Sequence, residues 1–191
     1  MFKNWADLLP LHQEGSLGRT WQDAAGALLN KKAGMYLLGM FVGQQFPEGP
    51  DRDDLDFFPF PQIEAAYGVE TVEAPIDGFM LSKSTENVDG GKALLEDLAS
   101  ADAQNIYLAS DPNNVGTNNE TDTSKYNALQ KKAAELVGQA KHITQFLDRD
   151  TRPDFASTVM IPSLQQFIAK PSDINGILES IEQQKQAIFT S

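Results

Sequence analysis

The sequence predicts a helix-rich α/β fold with few strands. Beyond Lys83, aliphatic residues recur every three or four positions, which is the pattern of helices that pack on one face. Before Lys83, short apolar or aromatic runs at residues 33–39, 55–60 and 76–82 predict strands. These strands are few for about seven helices, so we expect strand partners to lie on a segment outside this sequence.

Capping residues and prolines place the helices. Apolar residues at helical spacing predict a first helix over 2–9, which Pro10 ends. Thr20 is predicted to cap the second helix, with Asp23 close to its positive end. The later helices are marked by Leu94, by Ser100 as an N-cap, by Leu129, by Pro153, and by Ser172 as an N-cap. Residues 111–124 are predicted to form a solvent loop, because they contain almost no hydrophobic side chain.

The three predicted strands differ in character. Residues 33–39 (AGMYLLG) form an apolar run bounded by glycine, which predicts a buried strand. Residues 55–60 (LDFFPF) contain Pro59, which suits an edge or a strand end. Residues 76–82 (IDGFMLS) form the third predicted strand, and the polar stretch 62–75 before it is predicted to be a loop.

Charge and composition exclude several classes of protein. The net charge of −12 repels phosphate backbones and anionic lipids, so we expect no nucleic-acid partner, although solubility alone also explains such a surface. The absence of cysteine excludes disulfides and thiolate metal sites. No apolar run is long enough for a transmembrane helix, and residues 1–7 lack the pattern of a signal peptide. Taken alone, the chain is therefore expected to stay in the cytoplasm.

The residues that could carry catalysis or hold a metal are few and poorly spaced for it. The segment DRDTRPD contains Asp148, Asp150 and Asp154, but carboxylates this close in sequence seldom flank one scissile bond. They also suit a turn before a helix, near its positive end. His12 and His142 are too far apart in sequence to form a metal-ligand motif. We predict no catalytic residue, no metal site and no cofactor.

Sugar binding is better supported, because sugars need an aromatic face and planar polar groups. Phe41 follows the predicted strand 33–39, so its ring either projects into a cleft or packs in the core. Asp77, Gly78 and Phe79 interrupt the third predicted strand. A buried aspartate there needs a partner and the glycine permits close approach of a ligand, although a hydrogen-bonded bulge also fits.

Four parts of the chain together resemble the carbohydrate-specific extracellular solute-binding proteins of ABC transporters, the relatives of maltose-binding protein. They are TWQDAA with KAGMYLLG (20–25 and 32–39), LDFFPFP (55–61), APIDGFM with LLEDLAS (74–80 and 94–100), and QFLDRDT (145–151). Their order and spacing make the resemblance fairly specific, and it covers nearly the whole chain.

The resemblance implies two α/β lobes joined by a hinge, with a sugar or oligosaccharide in the cleft between them. It implies that Phe41 stacks on the sugar and that Asp77 and Gly78, followed by Phe79, lie where the chain passes the cleft. Asp150 and Arg152 match the late segment that contributes cleft residues.

Roughly the first half of a typical family member has no counterpart here. Residues 1–191 are therefore expected to be the C-terminal part of a periplasmic-binding-protein fold, with pieces of both lobes. The chain would be a truncated, partial or split protein. The expected partners are the missing N-terminal lobe and the ABC-transporter permease subunits. The parent protein is expected outside the cytoplasm, in the periplasm or anchored at the cell surface by lipid.

Two other hypotheses stay open beside this non-enzymatic one. The chain could belong to a glycoside hydrolase that uses Asp150 and Asp77, which turnover of chromogenic glycosides would reveal. It could also be a stand-alone helical interaction protein with an acidic surface, which capture of a protein partner would favour.

Overall fold

Helices dominate the computed structural model, which describes residues 1–66 and 70–190. Within this part of the chain, the longer helices are α1 (Phe2–Leu8), α2 (Trp21–Leu29), α3 (Val88–Ala99), α4 (Ala101–Ser110), α5 (Ala128–Gln139), α6 (153–169) and α7 (Ile174–Phe189). Single α-helical turns occur at Pro50–Asp53 and Leu147–Asp150, and 3₁₀ turns at Leu9–Leu11, Ser16–Gly18, Met40–Gln45 and Thr123–Lys125. The predicted helix-rich class with few strands is confirmed.

Two of the predicted helix starts are confirmed by their capping hydrogen bonds. Thr20 Oγ1 accepts from the Asp23 amide at 3.1 Å, and the Asp23 carboxylate accepts from the Thr20 amide at 2.9 Å. Ser100 Oγ accepts from the amide of Ala103 at 3.2 Å at the start of α4. Ser172 is the exception, because α7 begins at Ile174 after an N-cap at Asp173 that makes no side-chain capping bond.

Helix α6 begins at Pro153, as predicted, but it is not regular. It runs from Pro153–Phe155 through a π-helical turn at Ala156–Met160 into Ile161–Ala169. Pro162 has no amide hydrogen to donate to the preceding turn, and its ring crowds that turn. The π-helical turn therefore lies where the ordinary hydrogen-bond ladder is interrupted.

The prediction of three strands is wrong. No backbone hydrogen-bond ladder with any described residue forms at 33–39, 55–60 or 76–82. The strands of the described part are β1 (Thr71–Glu73) and β2 (His142–Thr144), which pair in parallel with Val72 opposite Ile143. β1 lies inside the predicted loop 62–75, of which residues 67–69 are outside the described part.

Side chains, rather than neighbouring strands, hold two of these segments, 55–60 and 76–82. Lys132 Nζ donates to Asp56 Oδ1 at 2.7 Å and lies 5.0 Å from the centre of the Phe57 ring. The pKa of Asp56 is lowered mainly by that hydrogen bond from Lys132. Leu81 packs so closely on α3 that a Cβ at Gly91 would lie 2.3 Å from its Cδ1. An apolar sequence alone therefore does not make a strand, which also needs a hydrogen-bonded neighbour.

The chain divides into two compact units, and unit 1 comprises residues 1–36 and 146–190. Its core is built on Phe2, Phe167 and Ile177, all nearly inaccessible to solvent. The rings of Phe2 and Phe167 meet edge to face with 4.8 Å between their centres, and Trp5 lies 5.2 Å from Phe167. Such aromatic pairs add about 0.5–1.5 kcal/mol each beyond their buried area.

Unit 2 comprises residues 37–145 and is held by polar contacts as well as apolar ones. The Arg52 guanidinium donates to the carbonyls of Gly43 and Phe46 and, at 3.0 Å, to Asn113 Oδ1. Asn113 is buried, and it belongs to the predicted solvent loop 111–124. That segment is a loop, but it is partly buried and tied to the unit by hydrogen bonds.

None of the described helices combines the length and the apolar character needed to cross a membrane.

Candidate functional site

The candidate sugar-binding residues are divided between the two units. Phe41, Asp77, Gly78 and Phe79 belong to unit 2, whereas Asp150 and Arg152 belong to unit 1.

Phe41 lies in the first turn of the 3₁₀ segment Met40–Gln45 rather than after a strand. The ring is half-buried and lies against Gly39, where a Cβ would be 2.9 Å from the ring atom Cε1. Only glycine at position 39 leaves this ring position undisturbed, since carbon atoms at that separation clash. The local sequence therefore fixes where the aromatic face lies.

The segment after β1 presents its side chains to solvent. Phe79 is 73% exposed, and Asp77 and Gly78 are exposed as well. The expectation that Asp77 is a buried strand residue is wrong, because 76–82 forms no ladder that would bury it. Apart from Gly78 itself and its two chain neighbours, no described residue has an atom within 4 Å of a Cβ placed on Gly78, so space beside this backbone is open to a ligand.

A polar cluster that the sequence pattern does not predict lies near Asp77. Asp111 Oδ2 accepts from the Tyr107 hydroxyl at 3.1 Å and from Asn114 Nδ2 at 2.9 Å. The pKa of Tyr107 is raised by partial burial, by the hydrogen bond to Asp111, and by the negative charges of Asp111 and Asp77. Its sequence signal is the DPNN turn (111–114) after α4, which lies in the predicted solvent loop 111–124.

Arg152 in unit 1 makes structural contacts with each part of its guanidinium. Nε and Nη2 donate to the two carboxylate oxygens of Asp154 at 3.1 and 2.7 Å, and Nη1 donates to the carbonyl of Ile188 at 2.6 Å. The guanidinium also lies 5.6 Å from the Phe189 ring centre. The hydrogen bond between Arg152 and Asp154 raises the pKa of Arg152 and lowers the pKa of Asp154. A cation suits the negative C-terminal end of α7.

Asp150 is the last residue of the turn Leu147–Asp150, and it is exposed. Carboxylate oxygens in that setting can accept hydrogen bonds from sugar hydroxyls, and they can equally be solvated. A ligand role for Asp150 and Arg152 stays a prediction, and for Arg152 a ligand would have to share groups that already bind Asp154.

Metal-binding clusters and surface depressions are other places at which a ligand could bind. Within residues 1–66 and 70–190, no group of three or more histidine, aspartate or glutamate side chains is placed to hold a metal ion. Two shallow depressions of about 290 and 330 Å³ occur in unit 1. One lies between Leu9 and Ile168 and the other between Arg19 and Lys32, and none of the candidate residues lines either.

Comparison with known proteins places this chain in a family. A comparison with curated proteins found no match. Among solved structures, the chain is 41% identical to the bacterial solute receptor AcbH and superimposes on it with a TM-score of 0.92. AcbH is described as having an exclusive substrate preference for β-D-galactopyranose. The match covers 98% of this chain but 48% of AcbH, so the chain spans about half the length of that receptor.

The family identified from the sequence is confirmed by an independent comparison. The family of bacterial extracellular solute-binding proteins matches residues 2–105, which is more than half of the 191 residues. The match includes α1 to α3, Phe41 and the segment Asp77–Phe79. The chain therefore belongs to the bacterial extracellular solute-binding protein family.

Proposed function

We propose that this chain is the C-terminal part of a sugar-binding protein that delivers a pyranose sugar to an ABC importer and carries out no chemistry on it. The observation that carries the proposal is the 41% identity to AcbH over 98% of the chain, at a TM-score of 0.92. The preference of AcbH makes β-D-galactopyranose the first ligand to test.

Binding would depend on complementary faces of the sugar and of unit 2. The C–H face of a pyranose is apolar, and the half-buried Phe41 ring offers an apolar plane that Gly39 holds in place. The carboxylate of Asp77 would accept hydrogen bonds from sugar hydroxyls, beside the open space at Gly78. Phe79 offers a second exposed ring. In unit 1, Asp150 and Arg152 are the proposed ligand contacts.

The proposal includes the parts that this chain does not supply. A complementary polypeptide would correspond to the part of AcbH that this chain does not cover, and it would complete the cleft. The assembled protein would act outside the cytoplasm and deliver its sugar to the permease subunits of the transporter. The family consists of solute-binding proteins, which favours binding over the glycoside hydrolase hypothesis.

The test uses a chimera in which this chain replaces the part of AcbH that it matches. Galactose should raise the midpoint of thermal unfolding of the chimera, because a ligand that binds only the folded state stabilises it. A chromogenic galactoside should not be hydrolysed. Intact AcbH serves as the positive control for binding. Galactoside turnover that is lost in Asp150→Asn would instead establish the hydrolase.

A further inference from the structure

One arginine of unit 2 holds the backbone of the 3₁₀ segment that carries Phe41. Nε and Nη2 of Arg52 donate to the carbonyl of Phe46 at 3.2 and 2.8 Å, and Nη2 also donates to the carbonyl of Gly43. Gly43 belongs to the 3₁₀ segment Met40–Gln45, and Phe46 is the residue that ends it. The guanidinium therefore fixes the second half of a turn whose first half carries the Phe41 ring.

The local backbone brings Arg52 back toward this segment. Gly49 has a φ of 113°, a conformation that residues with a side chain rarely adopt. Pro50 then starts the single helical turn Pro50–Asp53, and the Asp53 amide donates to the carbonyl of Gly49 at 3.0 Å. Because the chain turns here, the side chain of Arg52 reaches carbonyls that lie six and nine positions earlier.

The remaining nitrogen of Arg52 donates to a buried side chain. Nη1 donates at 3.0 Å to Oδ1 of Asn113, which is 7% exposed. Asn113 Nδ2 in turn donates to Asp111 Oδ1 at 2.7 Å, and Asp111 Oδ2 accepts from the Tyr107 hydroxyl at 3.1 Å. A continuous series of hydrogen bonds thus joins the Phe41 segment to the polar cluster of Tyr107 and Asp111.

These contacts use the guanidinium as a planar fork. Nε, Nη1 and Nη2 of Arg52 donate at the same time to groups of Phe46, Asn113 and Gly43. The ammonium group of lysine cannot reproduce this arrangement, since its three donors radiate from one nitrogen atom. Because all three nitrogens of Arg52 donate within unit 2, this side chain is suited to holding the site rather than to binding the sugar.

We infer that Arg52 is a positioning residue of the sugar site, which fixes the turn that carries the Phe41 ring and ties it to the 111–114 turn through Asn113. The inference rests on the proposed function, in which Phe41 stacks on a pyranose. A ring that is already held in its binding position loses little freedom when the sugar arrives, so less binding free energy is spent on ordering the turn. Gly39 leaves room for the ring, and Arg52 holds the backbone that follows it.

The position of the ring can be measured in this chain without a sugar. An α-proton of Gly39 lies against the Phe41 ring, so the ring current displaces its NMR shift. Labelling of the leucine carbonyl carbon and the glycine nitrogen selects the two Leu–Gly pairs of the chain, which report Gly39 and, in unit 1, Gly18. In Arg52→Lys, the Gly39 shift should move toward its value in Phe41→Ala, whereas Gly18 is the control and should stay in place. An unmoved Gly39 shift would overturn the inference.

Sugar affinity separates positioning from a general loss of stability. In the AcbH chimera, Arg52→Lys should raise the Kd for galactose at least about fivefold. The matched control is Ala133→Gly, because position 133 is buried in α5 and glycine there weakens the helix. This control should leave the Kd of the folded fraction within about twofold of its original value. Equal Kd values for the two variants would make the role of Arg52 merely structural and overturn the inference.

A double-mutant cycle shows whether Arg52 acts through the ring. Once the ring has been removed, its position no longer matters. Arg52→Lys in the Phe41→Ala background should therefore change the Kd by less than about twofold. The same loss of affinity in both backgrounds would mean that Arg52 acts on the sugar independently of Phe41, and it would overturn the inference.

The outcomes separate this inference from the proposed function. A Gly39 shift that moves in Arg52→Lys, in a chimera that binds no galactose, would keep Arg52 as the residue that positions the ring and remove the proposed function. Galactose binding with a Kd and a Gly39 shift that do not respond to Arg52→Lys would keep the proposed function and overturn the inference.

Discussion

Replacing Phe41 with alanine distinguishes a sugar-stacking ring from a core ring. The matched control is Phe46, which caps the end of the same 3₁₀ segment and is only 5% exposed. Phe46→Ala should cost about 3–5 kcal/mol of unfolding free energy, the usual cost of truncating a core phenylalanine. Phe41 is half-buried, so its truncation should cost less, about 1–2 kcal/mol, from the smaller apolar area returned to water.

The effect on sugar affinity should be the opposite. Loss of a stacking face costs about 1–3 kcal/mol by analogy with base stacking on aromatic side chains. Phe41→Ala in the chimera should therefore raise the Kd for galactose by about 5- to 150-fold. Phe46→Ala should leave the Kd of the folded fraction nearly unchanged. Urea unfolding followed by circular dichroism and calorimetric titration, performed on the same samples, measure both quantities.

The refuting result is a reversal of this pattern. If Phe41→Ala loses as much stability as Phe46→Ala and the folded fraction binds galactose normally, the ring is a packing residue. The second expectation of the sequence analysis, core packing, would then be correct for Phe41.

Three further predictions follow from named contacts. Gly43→Ala should lower the free energy of unfolding, measured with urea, by about 2–4 kcal/mol, because the new Cβ would lie 2.3 Å from Oδ1 of the buried Asn113. A loss below about 0.5 kcal/mol would contradict that packing. Gly26→Ala, inside α2 with nothing within 4 Å of the new Cβ, should instead stabilise the protein by about 0.5–1 kcal/mol, so a destabilisation would be unexpected. Hydrogen bonds from Thr20 lower the pKa of Asp23, so the stability they provide should be full above about pH 4 and lost as the pH falls through the lowered value. The difference in unfolding free energy between the native chain and Asp23→Asn should therefore shrink on acidification, and a difference that grows would refute this.

The local sequence predicts those features whose hydrogen-bond partners are close neighbours along the chain. Thr20 and Asp23 lie three positions apart and cap α2 as predicted, since both partners of the capping box are local. The prediction of Ser172 as an N-cap was wrong by one position. Serine and aspartate in the sequence PSDI are equally plausible caps, and helix ends are decided by small energies.

The local sequence does not predict strands, because the partner of a strand can lie far away along the chain. β1 and β2 pair across 71 positions, and neither contains an apolar or alternating run long enough to predict a strand. The reverse holds for 33–39, where an apolar run has no ladder with any described residue. Strand formation depends on a distant neighbour, and such neighbours cannot be identified from local composition.

The candidate site shows the same limit. Phe41 and the segment Asp77–Phe79 stay predicted ligand residues, but their surroundings differ from the prediction, because Phe41 lies in a 3₁₀ turn and Asp77 is exposed. The contact of Arg152 with Ile188 was missed, because it joins residues 36 positions apart through a backbone carbonyl that has no sequence signature. The Tyr107–Asp111–Asn114 cluster was missed because its asparagine-rich turn is typical of ordinary loops.

Calorimetric titration of β-D-galactopyranose into the AcbH chimera tests the central claim most directly. The account predicts saturable binding of one sugar per chimera, no turnover of galactosides, and a Kd that rises in Phe41→Ala. A folded chimera that binds no galactose under conditions in which intact AcbH does would contradict the claim that this chain is part of a galactose-type solute receptor.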